Sequence, residues 1–197
     1  MDIRELDRRA VLASAAVVMK ATAADLGRPT PCADWTLGDL LAHMTAQHNG
    51  FAAAARGEGA DLAVWRVSSP GDDAVPAYLR SAEEVIGAFG EDGVPGREFT
   101  LPEFAPLGPE FPARTAIGFH FIDYLVHGWD VARALGVPYV PEPDLVEAAW
   151  PIALAVPDDE RRLRPGAAFR PALTVPGDAP RFDRLLALLG RTPEPLG

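Results

Sequence analysis

The stretch that decides the fold is Asp123-Tyr124-Leu125-Val126-His127-Gly128-Trp129-Asp130, set in an apolar segment that runs from about Ala113 to Leu135 and is closed by Gly136 and Pro138. Asp123 and His127 stand four residues apart, so on an α-helix they project from one face and can grip one cation. A single ion needs more than two ligands. Leu40-Leu41-Ala42-His43 supplies the natural third on another apolar helical background, because bundle cores build metal sites from side chains on facing helices. The expectation is an all-α chain with His43, Asp123 and His127 as metal ligands. The competing reading of Asp123 and His127 is a plain i,i+4 helix pair.

Outward from these segments, Ile3, Leu6, Ala10, Ala13 and Val17 recur at helical intervals and predict a first helix from Ile3 to about Leu26, stopped by Gly27 and Pro29. Pro29 to Trp35 is a turn-rich connector. Thr36-Leu37-Gly38-Asp39 then reads as a capping box, since the threonine oxygen and the carboxylate can satisfy free amides at a helix start. The second helix runs to about Arg56, and a third spans about Pro76 to Phe89, with Pro76 tolerable in a first turn. From Glu91 to about Pro112 glycine and proline recur around Phe99, Leu101, Phe104 and Phe111, which predicts a long irregular crossover before the fourth helix, Ala113 to Leu135. A further helix between Pro143 and Val156, a short strand over Ala168 to Val175 and an amphipathic helix from Arg181 to Leu189 complete the chain. With no internal repeat and no convincing boundary, residues 1–197 read as one domain.

At 197 residues and 48% apolar composition the chain can bury a sizeable core and is not disordered. Its net charge of −10 and pI of about 4.8, without a basic cluster, argue against nucleic acid as a partner. Cys32 is the single cysteine, which excludes an intrachain disulfide and multi-cysteine zinc motifs and fits a reducing cytoplasm. Arg8-Arg9, the apolar run Ala10 to Met19 and Ala21-Thr22-Ala23 imitate a signal peptide. Asp2, Glu5, Asp7 and Lys20 spoil that pattern and favour a retained amphipathic helix. No apolar run approaches the roughly 18 residues that span a bilayer, so no membrane partner is expected. A monomer or homodimer is expected.

Several polar residues compete for roles. His120 shares the Asp123 and His127 stripe within about 60° at 100° per residue, but lies about 10 Å from His127 along the axis. It is therefore a candidate for proton transfer or for facing substrate rather than for ligation. His48 is about 140° around the helix from His43 and should not share its site; beside Asn49 and Gly50 it reads as a solvated residue. Asp39 is explained by the capping box. Asp130 suits a surface ion pair with Arg133, with orientation of a ligand histidine as the alternative. Trp35 and Trp129 read as core or pocket-wall aromatics. Cys32 is either activated ahead of a helix start or simply buried. No nucleophile elbow, phosphate-binding glycine loop or dinucleotide fingerprint is present.

Pro31-Cys32-Ala33-Asp34-Trp35-Thr36, Asp39-Leu40-Leu41-Ala42-His43, Asp123-x-x-x-His127-Gly128-Trp129-Asp130-Val131-Ala132-Arg133-Ala134 and Arg184-Leu185-Leu186-Ala187-Leu188-Leu189-Gly190-Arg191 together resemble the mycothiol-dependent maleylpyruvate isomerase metal-binding domain of the DinB-like superfamily. The likeness covers nearly the whole chain. It implies a DinB-like four-helix bundle with a long crossover connection and a short C-terminal strand and helix extension. It also implies a divalent metal, commonly zinc, on His43, Asp123 and His127. The family often has glutamate where this chain has Asp123. The isomerase adds a further C-terminal domain, whereas this chain ends at Gly197, so the isomerase reaction itself is not the expected activity.

The resulting expectation is a divalent-metal enzyme, with zinc favoured and nickel, manganese or iron compatible with two imidazoles and a carboxylate. The resemblance adds a low-molecular-weight thiol such as mycothiol as co-substrate in a transferase or isomerase acting on a small electrophilic metabolite. The alternatives are a thiol-independent metal hydrolase or isomerase, and a non-catalytic metal or small-molecule binding protein.

Overall fold

The computed structural model describes all residues except 33–34, 69–70, 103–108, 164–168 and 194–197. Ala33 and Asp34 of the resemblance motif, Phe104 of the crossover and Ala168 of the expected strand thus lie outside the described residues. Two compact units make up the chain, Met1–Tyr139 and Val140–Gly197.

In the first unit, α1 (Ile3–Val18) is opened by Asp2, whose carboxylate accepts the Arg4 amide at 3.0 Å. The helix ends at Val18 rather than at about Leu26. The Thr22 amide and hydroxyl both donate to Asp25 Oδ2, at 2.9 and 2.7 Å, and this local bonding competes with helix continuation; Ala23–Asp25 forms a separate 3-10 turn instead. The expected capping box opens α2 (Leu37–Ala55): the Asp39 amide donates to Thr36 Oγ1 at 3.2 Å and the Thr36 amide to Asp39 Oδ2 at 3.0 Å. Next come α3 (Ala74–Gly90) and α4 (Ala113–Leu135), the latter closed by Gly136 at φ 70°, a left-handed conformation that glycine adopts without penalty.

The helices form an all-α four-helix bundle in which α1 lies against α3 and α4, and α2 against the same two. Leu40, Leu41 and Met44 of α2 meet Val11 and Val18 of α1, Tyr78 of α3, and Tyr124 and Val131 of α4 in the core. Each such large apolar side chain contributes about 1.5–3 kcal/mol on full burial. The crossover between α3 and α4 carries more order than its glycines and prolines suggest. Within it β1 (Glu98–Thr100) pairs antiparallel with β2 (Glu110–Pro112), Phe99 opposite Phe111. The alternation places Phe99 inward, fully buried, with its ring 6.0 Å from that of Phe89.

The second unit contains α5 (Pro143–Ala155), with Pro151 inside it, packed against α6 (Arg181–Leu188). Arg162 is buried and donates to the carbonyls of Val156, Pro157, Arg170 and Leu188 at 2.7–3.1 Å. The strand expected over 168–175 does not form in its described part, which carries no regular secondary structure. Its backbone bonds singly, with Leu173 N–H donating to Ala187 O at 2.8 Å and Ala172 N–H to Asp158 Oδ1 at 3.1 Å, so a ladder has nothing to grow on. Among the described residues no helix is long and apolar enough to cross a membrane.

Candidate metal centre

The second turn of α2 carries His43, and the middle of α4 carries Asp123 and His127, one turn apart. Their ligating atoms all lie within 4.8 Å of one another. Asp123 Oδ1 stands 3.3 Å from Nε2 of His127, and the His43 ring meets the His127 ring edge-on at 5.5 Å between centroids. Trp35 walls the group on the α2 side, its ring 4.8 Å from that of His43. Thus the three residues singled out from spacing alone do converge. An ion with bonds of about 2.1 Å separates tetrahedral ligands by about 3.4 Å, so modest side-chain closure suffices.

His127 is held from behind. Its Nδ1 lies 2.9 Å from Oδ2 of Asp130, and the Cys32 thiol donates to the same oxygen at 2.9 Å. Asp130 is fully buried, which overturns the expected surface ion pair with Arg133 and favours the alternative of orienting a ligand histidine. With Nδ1 turned to a carboxylate, Nε2 is the nitrogen left facing Asp123 and His43. That Nε2 is buried and has no hydrogen bond among the described residues. A histidine with a carboxylate on one nitrogen and the other turned to further ligand groups is the usual arrangement of a metal ligand, the cation taking the place of the Nε2 proton.

The electrostatics suit a cation. Burial alone would raise the Asp123 pKa, but His127, then His43, hold it down to about 2. Burial likewise opposes charge on His127, yet Asp123 foremost, with Asp130 behind, keeps its pKa well above the ordinary value. Burial, reinforced by His127, lowers His43 to about 4, leaving it a neutral donor at physiological pH. Two carboxylates around His127 therefore favour positive charge at the point where Nε2 meets Asp123 and His43. The residues fit a divalent ion on the unbonded Nε2, on the donor types and on this charge balance.

His120 and His48 lie elsewhere, in the core. His120 Nδ1 stands 2.6 Å from Asp7 Oδ1, and its Nε2 3.1 Å from His48 Nδ1. All three residues are fully buried, so His48 is not the solvated residue expected from its Asn49-Gly50 neighbours. Both histidine rings stack on Tyr124, at 3.9 and 4.2 Å. His120 has both nitrogens engaged and is not part of the three-residue group. Two contacts escaped sequence reading, that of Asp7 with His120 and that of Cys32 with Asp130. Asp7 follows Leu6 and precedes Ala10 by three, which places it on the apolar stripe of α1 and was the available signal. Cys32 gave none, since its contact with Asp130 spans 98 residues.

The chain is thus a helical bundle whose facing helices bring two imidazoles and a carboxylate together. Within it, residues 8–132 match the mycothiol maleylpyruvate isomerase N-terminal domain, and the chain belongs to that family. The match falls inside the first unit. Two uncharacterized proteins from Mycobacterium tuberculosis, of strains CDC 1551 / Oshkosh and ATCC 25618, are each 32% identical to the chain over 197 residues, covering 98% of it and 99% of their own length. No solved structure matches the chain.

Proposed function

We propose that the protein is a metal-dependent enzyme of thiol chemistry, in which His43, Asp123 and His127 hold one divalent ion, zinc best suited, and a low-molecular-weight thiol of the mycothiol type attacks a small electrophilic metabolite in a transfer or isomerisation. The single observation that carries this reading is the buried, unbonded Nε2 of His127 between Asp123 and His43. Three protein ligands leave coordination positions open, the arrangement of catalytic rather than structural zinc. When bound, the ion supplies Lewis acidity that lowers the pKa of a thiol at neutral pH.

The chain's own residues do the rest. His43, depressed to about 4 by burial, keeps its lone pair available. Asp123 stays ionised and offsets positive charge. Asp130 keeps the His127 proton on Nδ1 and so directs Nε2 outward. Trp35 packs against the His43 ring and limits its movement. The family membership supports the thiol, and the acidic surface supports a small-molecule rather than a nucleic-acid partner.

Protein purified without chelator or nickel resin tests this directly. Elemental analysis should show near-stoichiometric divalent metal, and the cobalt(II)-substituted protein should develop a sulfur-to-metal charge-transfer band when a low-molecular-weight thiol is added. Metal that is absent and cannot be restored overturns the ligand set. A cobalt spectrum indifferent to thiol overturns the thiol chemistry alone.

A further inference from the structure

The hydrogen bonds behind His127 extend beyond the ligand set to a residue far away in sequence. Cys32 Sγ lies 2.9 Å from Asp130 Oδ2, the same oxygen lies 2.9 Å from His127 Nδ1, and Sγ to Nδ1 is 3.6 Å. Cys32, Asp130 and His127 are 8%, 0% and 2% exposed. Both donors converge on one carboxylate oxygen. Rotating the Asp130 carboxylate breaks both bonds at once, in surroundings where a lost partner is costly because water does not replace it.

The same three side chains could be taken for a second metal site, since their donor atoms also cluster. The distances argue otherwise. Around a tetrahedral ion with bonds of about 2.0–2.3 Å, neighbouring donors stand about 3.3–3.5 Å apart, whereas both contacts to Asp130 Oδ2 are at hydrogen-bond length.

Resting on the ligand set proposed above, we infer that Cys32 and Asp130 are positioning residues: the Cys32 thiol clamps the Asp130 carboxylate, which holds His127 with Nδ1 protonated and Nε2 aimed at His43 and Asp123. The connector that leads into α2 is thereby tied to α4, which carries two of the three ligands. Removing a support of this kind costs about 10–100-fold in metal affinity without touching a ligand.

Zinc affinity, read by competition with a chromophoric chelator, is compared in the wild type, Cys32→Ala, Cys32→Ser and Asp130→Ala. In parallel, solvent exchange of the His127 Nδ1 proton is followed by NMR in the metal-free proteins. Cys32→Ala should weaken zinc by about tenfold and Asp130→Ala by about 10–100-fold, each with faster Nδ1 proton exchange. Cys32→Ser keeps a donor at nearly the same place and should restore both values to near the wild type. Ser and Ala variants that behave alike, whether both intact or both impaired, overturn the clamp, because packing alone does not distinguish a hydroxyl as the rescuing group. A sulfur charge-transfer band in the cobalt(II) protein before any thiol is added also overturns it, by making Cys32 a ligand. Should the wild type take up no zinc, the ligand set fails, while Ser-for-Ala rescue of slow proton exchange still supports the clamp.

Discussion

Nδ1 of His48 stands 3.1 Å from Nε2 of His120 in the middle of the bundle, joining α2 to α4. Asp7 of α1 completes the row at 2.6 Å from His120 Nδ1. We assign the protons from the carboxylate outward: His120 Nδ1–H donates to Asp7, so His120 Nε2 accepts from His48 Nδ1–H. Three helices are thus linked by polar bonds inside an apolar core, where registry depends on every member being present.

Removing His120 should therefore be a stability lesion and not a metal lesion. His120→Ala strips the buried Asp7 of its partner, and breaking such a pair costs about 3–5 kcal/mol. His48→Ala loses one buried bond and a stacked ring, about 1–3 kcal/mol. Urea denaturation should show both losses, the first larger, with metal content per folded molecule unchanged. A His120→Ala protein of normal stability that has lost its metal would place His120 in the site after all.

The same row gives the protein an acid-sensitive limb. Burial, then His120, holds the His48 pKa well below 6.5. Below pH 6.5 the unfolded chain takes up a proton that folded His48 refuses, so stability is full above 6.5 and is lost as pH falls toward the folded pKa. Asp7 works the other way: burial raises its pKa above 3.8, so between 3.8 and that raised value the folded state binds more protons and gains stability as pH falls. The measurement is denaturation midpoint against pH for the wild type and His48→Phe. The decline just below pH 6.5 should flatten in the variant; equal slopes would show that His48 does not govern it.

Helix periodicity made α2, α3 and α4 legible, and with them the convergence of His43, Asp123 and His127, because each is fixed by position on a helix with a visible start or stop: Thr36 and Asp39 for one, Gly136 for the other. What escaped depends on contacts that local pattern does not encode. Whether Asp130 pairs with Arg133 or supports His127 is decided by which face α4 turns to the connector at Cys32. His48 beside Asn49 looks solvated until Tyr124 and His120 are packed against it. The strand pair in the crossover forms because Phe99 finds Phe89, a partner on another element. The C-terminal end of α1 was misplaced for a local reason, since Thr22 and Asp25 bond to each other in a way that apolar spacing does not report.

Gly128, between His127 and Trp129, is required by a close approach. A Cβ there would meet Tyr139 Oη at 2.7 Å and its ring at 2.9 Å. Gly128→Ala should destabilise the bundle by about 1–3 kcal/mol, the usual cost of overpacking. The cost should shrink in a Tyr139→Ala background, which removes the clashing ring, and chemical denaturation of the two single variants and the double variant measures the coupling. Additive effects would show that Tyr139 is not what Gly128 accommodates.

The proposed ligand group makes the sharpest distinction between fold and site. His43→Ala, Asp123→Ala and His127→Ala each remove one of three donors, and two donors do not hold a divalent ion tightly. The core of Leu40, Leu41, Met44, Tyr78 and Tyr124 is untouched by the first two, so these proteins should stay folded while metal content falls below stoichiometric. His127→Ala additionally takes one hydrogen-bond partner from the buried Asp130, and should lose about 1–3 kcal/mol besides its metal. Circular dichroism and elemental analysis on all three, with His48→Ala as the comparison on the same α2 helix, settle the register. Metal lost from His48→Ala as readily as from His43→Ala would mean that α2 presents a different face to α4 than the 5.5 Å contact between His43 and His127 requires.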